Sequence, residues 1–228
     1  MTIRRTKQNG RNQTPGQLEL ISPELHEPCS RQKSAEEIAT HNRDCLLLRF
    51  VVKKHRATRL HYDFRLEWNG VLKSWAVPEG PSYCASHRRE AIEMEDHNIK
   101  NIAFEGVFPE GMPGAGPTMP WDLGSWEPLQ ECWDVEDSLR KGCLKFTLHG
   151  EKLEGNWMLI RRSGSCSDGR RQVWYLVKLP DAFARSWEAP AVVDEKPNSV
   201  TTGNSLEEVE REGKAPKRKR KSGTLFDM

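Results

Sequence analysis

Long apolar runs are missing from the sequence, although hydrophobic residues make up 36% of its 228 positions. Without a run of about 18 apolar residues, a membrane-spanning helix is excluded. The basic N-terminus also lacks the apolar segment of a secretory signal, so we expect no export. The six cysteines include no Cys-x-x-Cys pair. This absence excludes a zinc ribbon or a dithiol redox motif and predicts reduced intracellular thiols.

Apolar residues are too few to pack the whole chain, and they are concentrated in the middle of the sequence. We expect a folded core of about 140 residues between polar ends. Residues 1–45 form a polar N-terminal extension, in which Ser34 starts a capping-box pattern that predicts one short helix. Residues 46–185 form the predicted domain. Residues 186–228, with a basic run at 217–221, are predicted to be a disordered tail.

Short apolar runs bounded by Gly and Pro predict a mainly β domain. Residues 61–68 alternate strictly between polar and apolar, and Asn69-Gly70 behind them is a strong signal for a hairpin turn into 71–77. The glycine-rich stretch 111–117 lacks the Gly-Lys-Ser/Thr of a phosphate-binding loop and is interpreted as a conformationally demanding loop. Further strands are predicted at 46–52, 91–95, 103–108, 144–148, 157–161 and 173–179. These short strands favour a compact closed or nearly closed β-barrel with short flanking helices and disordered tails.

One strand carries a row of polar side chains that could do chemistry. Alternation over 61–68 puts four apolar residues on one face and His61, Asp63, Arg65 and Glu67 on the other. His55 lies close enough upstream to return beside His61. Two imidazoles and a carboxylate suit Mn²⁺, Zn²⁺ or Fe²⁺, and Arg65 would stand beside the ion as an anion clamp. On the pattern alone, a solvated strand face explains this row equally well.

A longer set of motifs resembles a known family. The motifs are KHRATRLHYDFRLEWNGVLKSWAVPEGPS, EDH, FEGVFPEG, GAG and WDLGSW. From about residue 50 to 179 the sequence is similar to the 3′-phosphoesterase domain of bacterial DNA ligase D, which also occurs as a stand-alone protein. The resemblance implies a small β-barrel that binds Mn²⁺ and trims the 3′ ends of broken DNA. Such a domain removes a terminal ribonucleoside and then the 3′-phosphate that is left behind.

The resemblance also implies roles for individual residues. Metal ligands would be His55, His61 and Asp63, whereas Arg65 and His97 would bind phosphate and take part in catalysis. The sequence departs from the family pattern at Asn101, where the family has a tyrosine. An asparagine can donate a hydrogen bond to phosphate, but it lacks the reach and acidity of a phenol.

Two more residues near His97 are candidates on chemical grounds. Glu95 lies two residues before His97, on the same face of the predicted strand, and could orient a histidine or hold a metal-bound water molecule. An exposed strand carboxylate with no role is an equally good interpretation of Glu95. Arg89 precedes the same strand, and its guanidinium, or that of Arg88 beside it, could contact phosphate in place of the missing phenol. A solvated loop is the more common interpretation of either residue alone.

These observations predict a stand-alone, Mn²⁺-dependent DNA 3′-end-processing phosphoesterase in double-strand break repair by non-homologous end joining. Other divalent transition metals are alternatives to Mn²⁺. A separate DNA ligase or polymerase would be needed, because neither domain fits within 228 residues. We expect a monomer without membrane contact, in the bacterial cytoplasm at the nucleoid, or in the nucleus of a eukaryotic source. The alternatives are a general metal-dependent phosphodiesterase and a catalytically weak DNA-end-binding module. The asparagine at position 101 favours the end-binding module.

Overall fold

The computed structural model describes residues 48–164 and 171–214, so the predicted helix near Ser34 and the basic run 217–221 lie outside the described residues. The strands are β1 (Leu48–Arg56), β2 (Leu60–Trp68), β3 (Val71–Val77), β4 (Arg89–Asn98), β5 (Gly106–Phe108), β6 (Gly116–Pro128), β7 (Cys143–Gly150), β8 (Glu154–Arg161) and β9 (Val173–Lys178). The α-helices are α1 (Val135–Lys141), α2 (Val192–Glu195) and α3 (Leu206–Lys214), and 3-10 turns cover Ile99–Asn101 and Gln130–Cys132. None of the helices in this part of the chain has the length and hydropathy of a membrane span.

Eight of the strands close into an antiparallel barrel. Their order is β1-β2-β3-β4-β9-β8-β7-β6, and β6 pairs back with β1. Strand β5 is an additional strand that pairs with β6. The turn between β2 and β3 has positive φ angles at Asn69 and Gly70, as the Asn-Gly signal predicts. The prediction of a closed, mainly β barrel is therefore confirmed.

Aromatic side chains fill the barrel core. The largest buried rings are Trp121, Trp126, Trp157, Trp174, Phe50, Phe64 and Phe146. Neighbouring rings meet in tilted or edge-to-face pairs, such as Trp126 against Phe146 with centroids 6.1 Å apart. The apolar face of β2 contributes Phe64 and Leu66 to this core, so its polar residues lie on the opposite face of the sheet.

Strand β6 was not predicted from the sequence, because its prolines and glycines are typical of a loop. The pairing with β1 shifts between Val52 and Lys53, where one extra residue of β6, Trp121, is inserted beside Pro120. At the start of β6, a Cβ on Gly116 would lie 2.0 Å from the carbonyl oxygen of Arg56. Only glycine allows the two backbones to approach so closely, and this approach closes the barrel.

The predicted disorder from residue 186 onwards is wrong for residues 186–214. Leu206 and Val209 of α3 are buried and form a small apolar cluster with Met119 of β6. Arg56 at the end of β1 donates to Glu207 at 2.8 Å and also to Glu210. The sequence signal was weak because the helix has only nine residues and only two of them, Leu206 and Val209, are apolar. Contacts with the barrel, together with a capping box in which Ser205 N donates to Glu208 and Glu208 N donates to the Ser205 hydroxyl, order this segment.

Because α3 docks through a buried leucine, Leu206→Ala should lower the free energy of unfolding by about 2–4 kcal/mol. Urea denaturation of the full chain measures this loss. Arg211→Ala on the exposed side of the same helix is the matched control and should change stability by less than about 0.5 kcal/mol. Equal stability of the Leu206 variant and the wild type would show that α3 does not contribute to the fold.

Candidate metal centre

Two histidines and an aspartate converge on the outer face of the β1–β2 pair. His55 and His61 are opposite each other in the register, and one potential ligand atom from each of the two rings and from Asp63 lies within 4.8 Å of the others. The His55 Nδ1 to Asp63 Oδ2 distance is 3.8 Å, and the His61 Nε2 to Asp63 Oδ1 distance is 3.4 Å. Ligand atoms that share one divalent ion lie roughly 3–4.5 Å apart, so this group could hold an ion after small side-chain adjustments.

The ring nitrogens that do not face Asp63 are held by backbone carbonyls. His55 Nε2 donates to the oxygen of Gly114 at 2.9 Å, and His61 Nδ1 donates to the oxygen of Arg59 at 3.0 Å. When a ring is neutral, its bond to the carbonyl fixes the tautomer and leaves the other nitrogen, on the side of the carboxylate, able to bind a metal ion. Histidines that bind metals in proteins are usually held in this way. The Gly114 carbonyl lies in the glycine-rich stretch, for which the sequence had suggested no role at the site.

Asp63 remains ionised although its side chain is buried. Burial raises its pKa, but the two histidines and the charge of Arg65 outweigh that effect, so the pKa of Asp63 lies well below its usual range. In return, the interaction with Asp63 raises the pKa of His61 against the opposing effect of burial. The group therefore offers a carboxylate oxygen at neutral pH, which is the harder of its two ligand types.

Arg65 joins this group and keeps one donor unused. Its Nη2 donates to Asp63 Oδ2 at 2.9 Å, and its side chain is only 9% exposed. Among the residues that the structure describes, the buried Nε atom of Arg65 has no hydrogen-bond partner. A buried N–H without an acceptor is costly, so an oxygen of a bound ligand would be stabilised there. Phosphate oxygens match this requirement in charge and geometry.

His97 is connected to Arg65 through the next strand. Ser74 lies opposite Arg65 in the β2–β3 register, and its Oγ is 3.1 Å from His97 Nδ1. Ser74 donates its hydrogen to the carbonyl of Leu72 at 2.9 Å, so the hydroxyl oxygen accepts from His97 Nδ1–H. Burial, followed by the charge of Arg65, lowers the pKa of His97. The imidazole is therefore mostly neutral at pH 7.

This environment makes a prediction about titration. In the metal-free protein, His97 should titrate below its usual value of about 6.5, because burial and Arg65 both oppose its protonation. NMR of the histidine ring signals across pH measures the midpoint. Arg65→Met should move the midpoint upwards, since one of the two opposing effects disappears. A midpoint that does not respond to Arg65→Met would show that the two groups are not electrostatically coupled.

Glu95 is not a member of the metal-ligand group. The β3–β4 register shifts between Leu72 and Ser74, so that Lys73 faces two residues of β4 and the alternation between Glu95 and His97 is broken. The expectation that Glu95 and His97 share a strand face is therefore wrong. The Glu95 side chain is exposed.

Arg89 and Asn101 occupy the two ends of this region. Arg89 begins β4 and pairs with Glu79, and its Nε is buried without a partner among the described residues. Asn101 is exposed in the 3-10 turn that follows β4. The roles predicted for both residues in phosphate binding stay predictions.

Lys53 is a neighbour of the site that the sequence analysis missed. It lies opposite Asp63 in the β1–β2 register and is buried, with its Nζ donating to the carbonyl of Phe104. Burial and the charge of Arg65 lower the pKa of Lys53 to about 7, although Asp63 and Glu105 oppose this shift. The sequence did contain a signal for Lys53, because it lies two residues before His55 and therefore on the same strand face. The signal was missed because the strand was predicted to end at residue 52.

The fold and the site define a β-barrel with a candidate metal centre of two imidazoles and one carboxylate beside an arginine that can bind an anion. Comparison with known families agrees with this class. Residues 53–161 match the family model described as the DNA Ligase D 3′-phosphoesterase domain. The barrel of this chain belongs to that family, so the resemblance seen in the sequence motifs is confirmed.

The similar proteins are much longer than this chain. Over 188 residues it is 46% identical to the multifunctional non-homologous end joining protein LigD of Pseudomonas aeruginosa, which covers 80% of this chain and 21% of that protein. The LigD protein of Mycolicibacterium smegmatis is 43% identical over 121 residues, or 51% of this chain and 16% of that protein. The one from Mycobacterium tuberculosis is 41% identical over 115 residues, or 50% and 15%. The chain therefore spans about a fifth or less of these relatives.

Proposed function

We propose that this protein is a metal-dependent phosphoesterase that processes the 3′ ends of broken DNA for non-homologous end joining. The observation that carries the proposal is the convergence of His55, His61 and Asp63 beside Arg65, whose buried Nε lacks an acceptor. Membership of the 3′-phosphoesterase family and similarity to the non-homologous end joining protein LigD support the choice of DNA ends as substrate. The reaction would remove a 3′-terminal ribonucleoside and then the remaining 3′-phosphate.

Mn²⁺ is the proposed cofactor. His55 and His61 each present a lone pair, and Asp63 presents a charged oxygen, which is a mixed set that mid-series divalent metals accept. When bound, such an ion would neutralise phosphate charge and lower the pKa of a water molecule. Zn²⁺ and Fe²⁺ are alternatives that the same ligands allow.

The residues around this group would position the phosphate and handle its protons. Arg65 would donate from Nε to a non-bridging oxygen while its Nη2 continues to hold Asp63. Lys53, buried beside Asp63, would add positive charge when it is protonated. His97, held at Nδ1 by Ser74, would use Nε2 to exchange a proton with the substrate, since a neutral imidazole can accept one there.

An assay on defined ends tests this proposal. The full chain is incubated with Mn²⁺ and a primer–template that carries one 3′-ribonucleotide, and the products are resolved by end chemistry. We expect loss of one nucleoside, a 3′-phosphate intermediate and finally a 3′-hydroxyl. DNA binding without cleavage would favour an accessory end-binding module instead. Equal cleavage of unrelated phosphodiesters would favour a general phosphodiesterase.

The asparagine at position 101 predicts an imbalance between the two steps. A 3′-phosphate carries almost two negative charges and a diester only one, so the second step needs more donors around phosphate. We therefore expect 3′-phosphate ends to accumulate, and Asn101→Tyr to speed their removal severalfold. The persistence of 3′-phosphate in the two proteins, at the same Mn²⁺ concentration, measures this. Equal rates would show that position 101 does not affect the reaction.

A ligase or polymerase on another chain would complete the proposed repair. Chromosomal ends are the substrate in this proposal, so the bacterial cytoplasm at the nucleoid is the proposed place of action. Co-purification of the full chain with an end-joining ligase on broken duplex DNA would test the partnership, and mixing the two proteins without DNA provides the control.

A further inference from the structure

Exposed apolar side chains lie next to the candidate metal centre. Phe104 is 40% exposed, and its ring centroid is 5.0 Å from that of Phe108. The Phe108 ring in turn lies 6.0 Å from the His55 ring in an edge-to-face arrangement. We call Phe104 and Phe108 the aromatic pair. Scattered exposed hydrophobic residues are normal, but two adjacent rings, one of them edge-to-face with a metal-ligand histidine, need an explanation.

Contacts with Lys53 and Gly106 hold Phe104 of the aromatic pair in position. Lys53 donates to the carbonyl of Phe104, and its Nζ lies 5.5 Å from the centroid of the Phe104 ring. The ring also covers Gly106, where an added Cβ would lie 3.3 Å from it. The aromatic pair is therefore connected to the metal-ligand group in two ways, through the Phe108 ring beside His55 and through Lys53, which is opposite Asp63. One ring is therefore oriented by the protein and still open to solvent.

We propose that the aromatic pair is the stacking platform for the terminal nucleoside that leaves in the first cut, an inference that rests on the proposed function. Phosphate and base are joined by a single ribose, so a phosphate at Arg65 would bring its nucleoside to the neighbouring surface. Phe104 offers an open ring there, and every base has a face that can stack on it. The platform binds the base without selecting its identity.

The two substrates of the proposed reaction differ in whether a nucleoside follows the phosphate, so comparing them tests whether Phe104 contacts that nucleoside. In the first step, a water oxygen bonds to phosphorus, the bond from phosphorus to the 5′-oxygen of the terminal nucleoside breaks, and that oxygen takes a proton. A 3′-phosphate end has no nucleoside beyond the phosphate, so the platform has nothing to hold in the second step. Phe104 is thus a positioning residue for diester substrates.

Kinetics of Phe104 variants on both ends test the inference. Stacking of one base on an aromatic side chain contributes about 1–3 kcal/mol, which corresponds to about 5- to 150-fold in binding. For Phe104→Ala, the loss of kcat/KM on the ribonucleoside end should exceed the loss on the 3′-phosphate end by that factor, mainly through KM. Phe104→Tyr should restore the activity, and Phe104→Leu, which is apolar but not aromatic, should not.

A substrate whose terminal ribose lacks a base allows a double-mutant cycle between the Phe104 ring and the base. With wild type, removing the base should cost as much as Phe104→Ala does, and the two changes together should cost little more than either alone. The matched control is Phe183→Ala, because Phe183 is 44% exposed and lies near Gly155 at the start of β8. Calorimetric Mn²⁺ affinity of the Phe104 variants should match that of wild type.

Four results would overturn the inference. Equal losses on both ends would mean that Phe104 contacts DNA shared by the two substrates, and additive effects of ring and base would mean that they do not touch. Weaker Mn²⁺ binding in Phe104→Leu would assign the ring to support of the metal centre. Wild-type protein that acts on neither end would refute the proposed function itself, together with this inference.

Discussion

Replacing Asp63 with Asn is expected to lower the affinity for Mn²⁺ by at least about 100-fold and to abolish turnover. Loss of an outer-shell partner already costs about 10- to 100-fold in metal affinity, and Asp63 is the charged member of the ligand group itself. The amide has the same shape as the carboxylate, so the change removes charge with little loss of packing. Calorimetric titration with MnCl₂ measures the affinity, and the primer–template assay measures turnover.

Asp96→Asn is the matched control for this experiment. Asp96 lies on β4 in a more exposed ion pair with Lys73, away from the metal-ligand group. Its variant should bind Mn²⁺ within about twofold of wild type, because surface ion pairs contribute little. The Asp63 variant will also be less stable, since Arg65 loses the charge of its buried partner. Wild-type Mn²⁺ affinity in folded Asp63→Asn would rule out the proposed site.

Arg65→Lys is expected to reduce turnover by about 100-fold or more, while Mn²⁺ affinity changes by less than about tenfold. Lysine keeps the charge but loses the planar fork, so it cannot donate to phosphate and to Asp63 in the same geometry. Loss of one well-placed hydrogen-bond donor to the transition state typically lowers turnover by about 10²- to 10³-fold. Metal binding is spared because neither side chain can ligate a cation.

Arg65→Lys separates an effect on phosphate from an effect on the metal-ligand group better than an alanine variant would. Alanine would leave Asp63 without its charged partner and disturb the metal-ligand group as well as the phosphate site. Arg49→Lys is the control, because Arg49 makes a similar bond to Glu67 at 2.7 Å farther along the same pair of strands. Equal loss of Mn²⁺ affinity in Arg65→Lys and Asp63→Asn would mean that Arg65 acts through the metal centre rather than on phosphate.

The sequence by itself determined the hairpin that carries the site. Alternation over β2 and the Asn69-Gly70 turn are local signals, and they fixed the faces of β2 and its pairing with β3. The polar row on β2 follows from the same alternation, so Asp63 and Arg65 share a face. The short distance along the chain from His55 to His61 predicted that the two meet, and the β1–β2 register pairs them directly.

Only the tertiary structure decided what surrounds this hairpin. The carbonyl that holds His55 belongs to Gly114, 59 residues later, and α3 reaches Arg56 from about 150 residues away. The bulge that separates Glu95 from His97 depends on pairing with β3, and the burial of Lys53 depends on Phe104. Periodicity and turn residues report on neighbours along the chain. Contacts between distant segments are set by how the closed barrel packs, and they leave no local pattern to read.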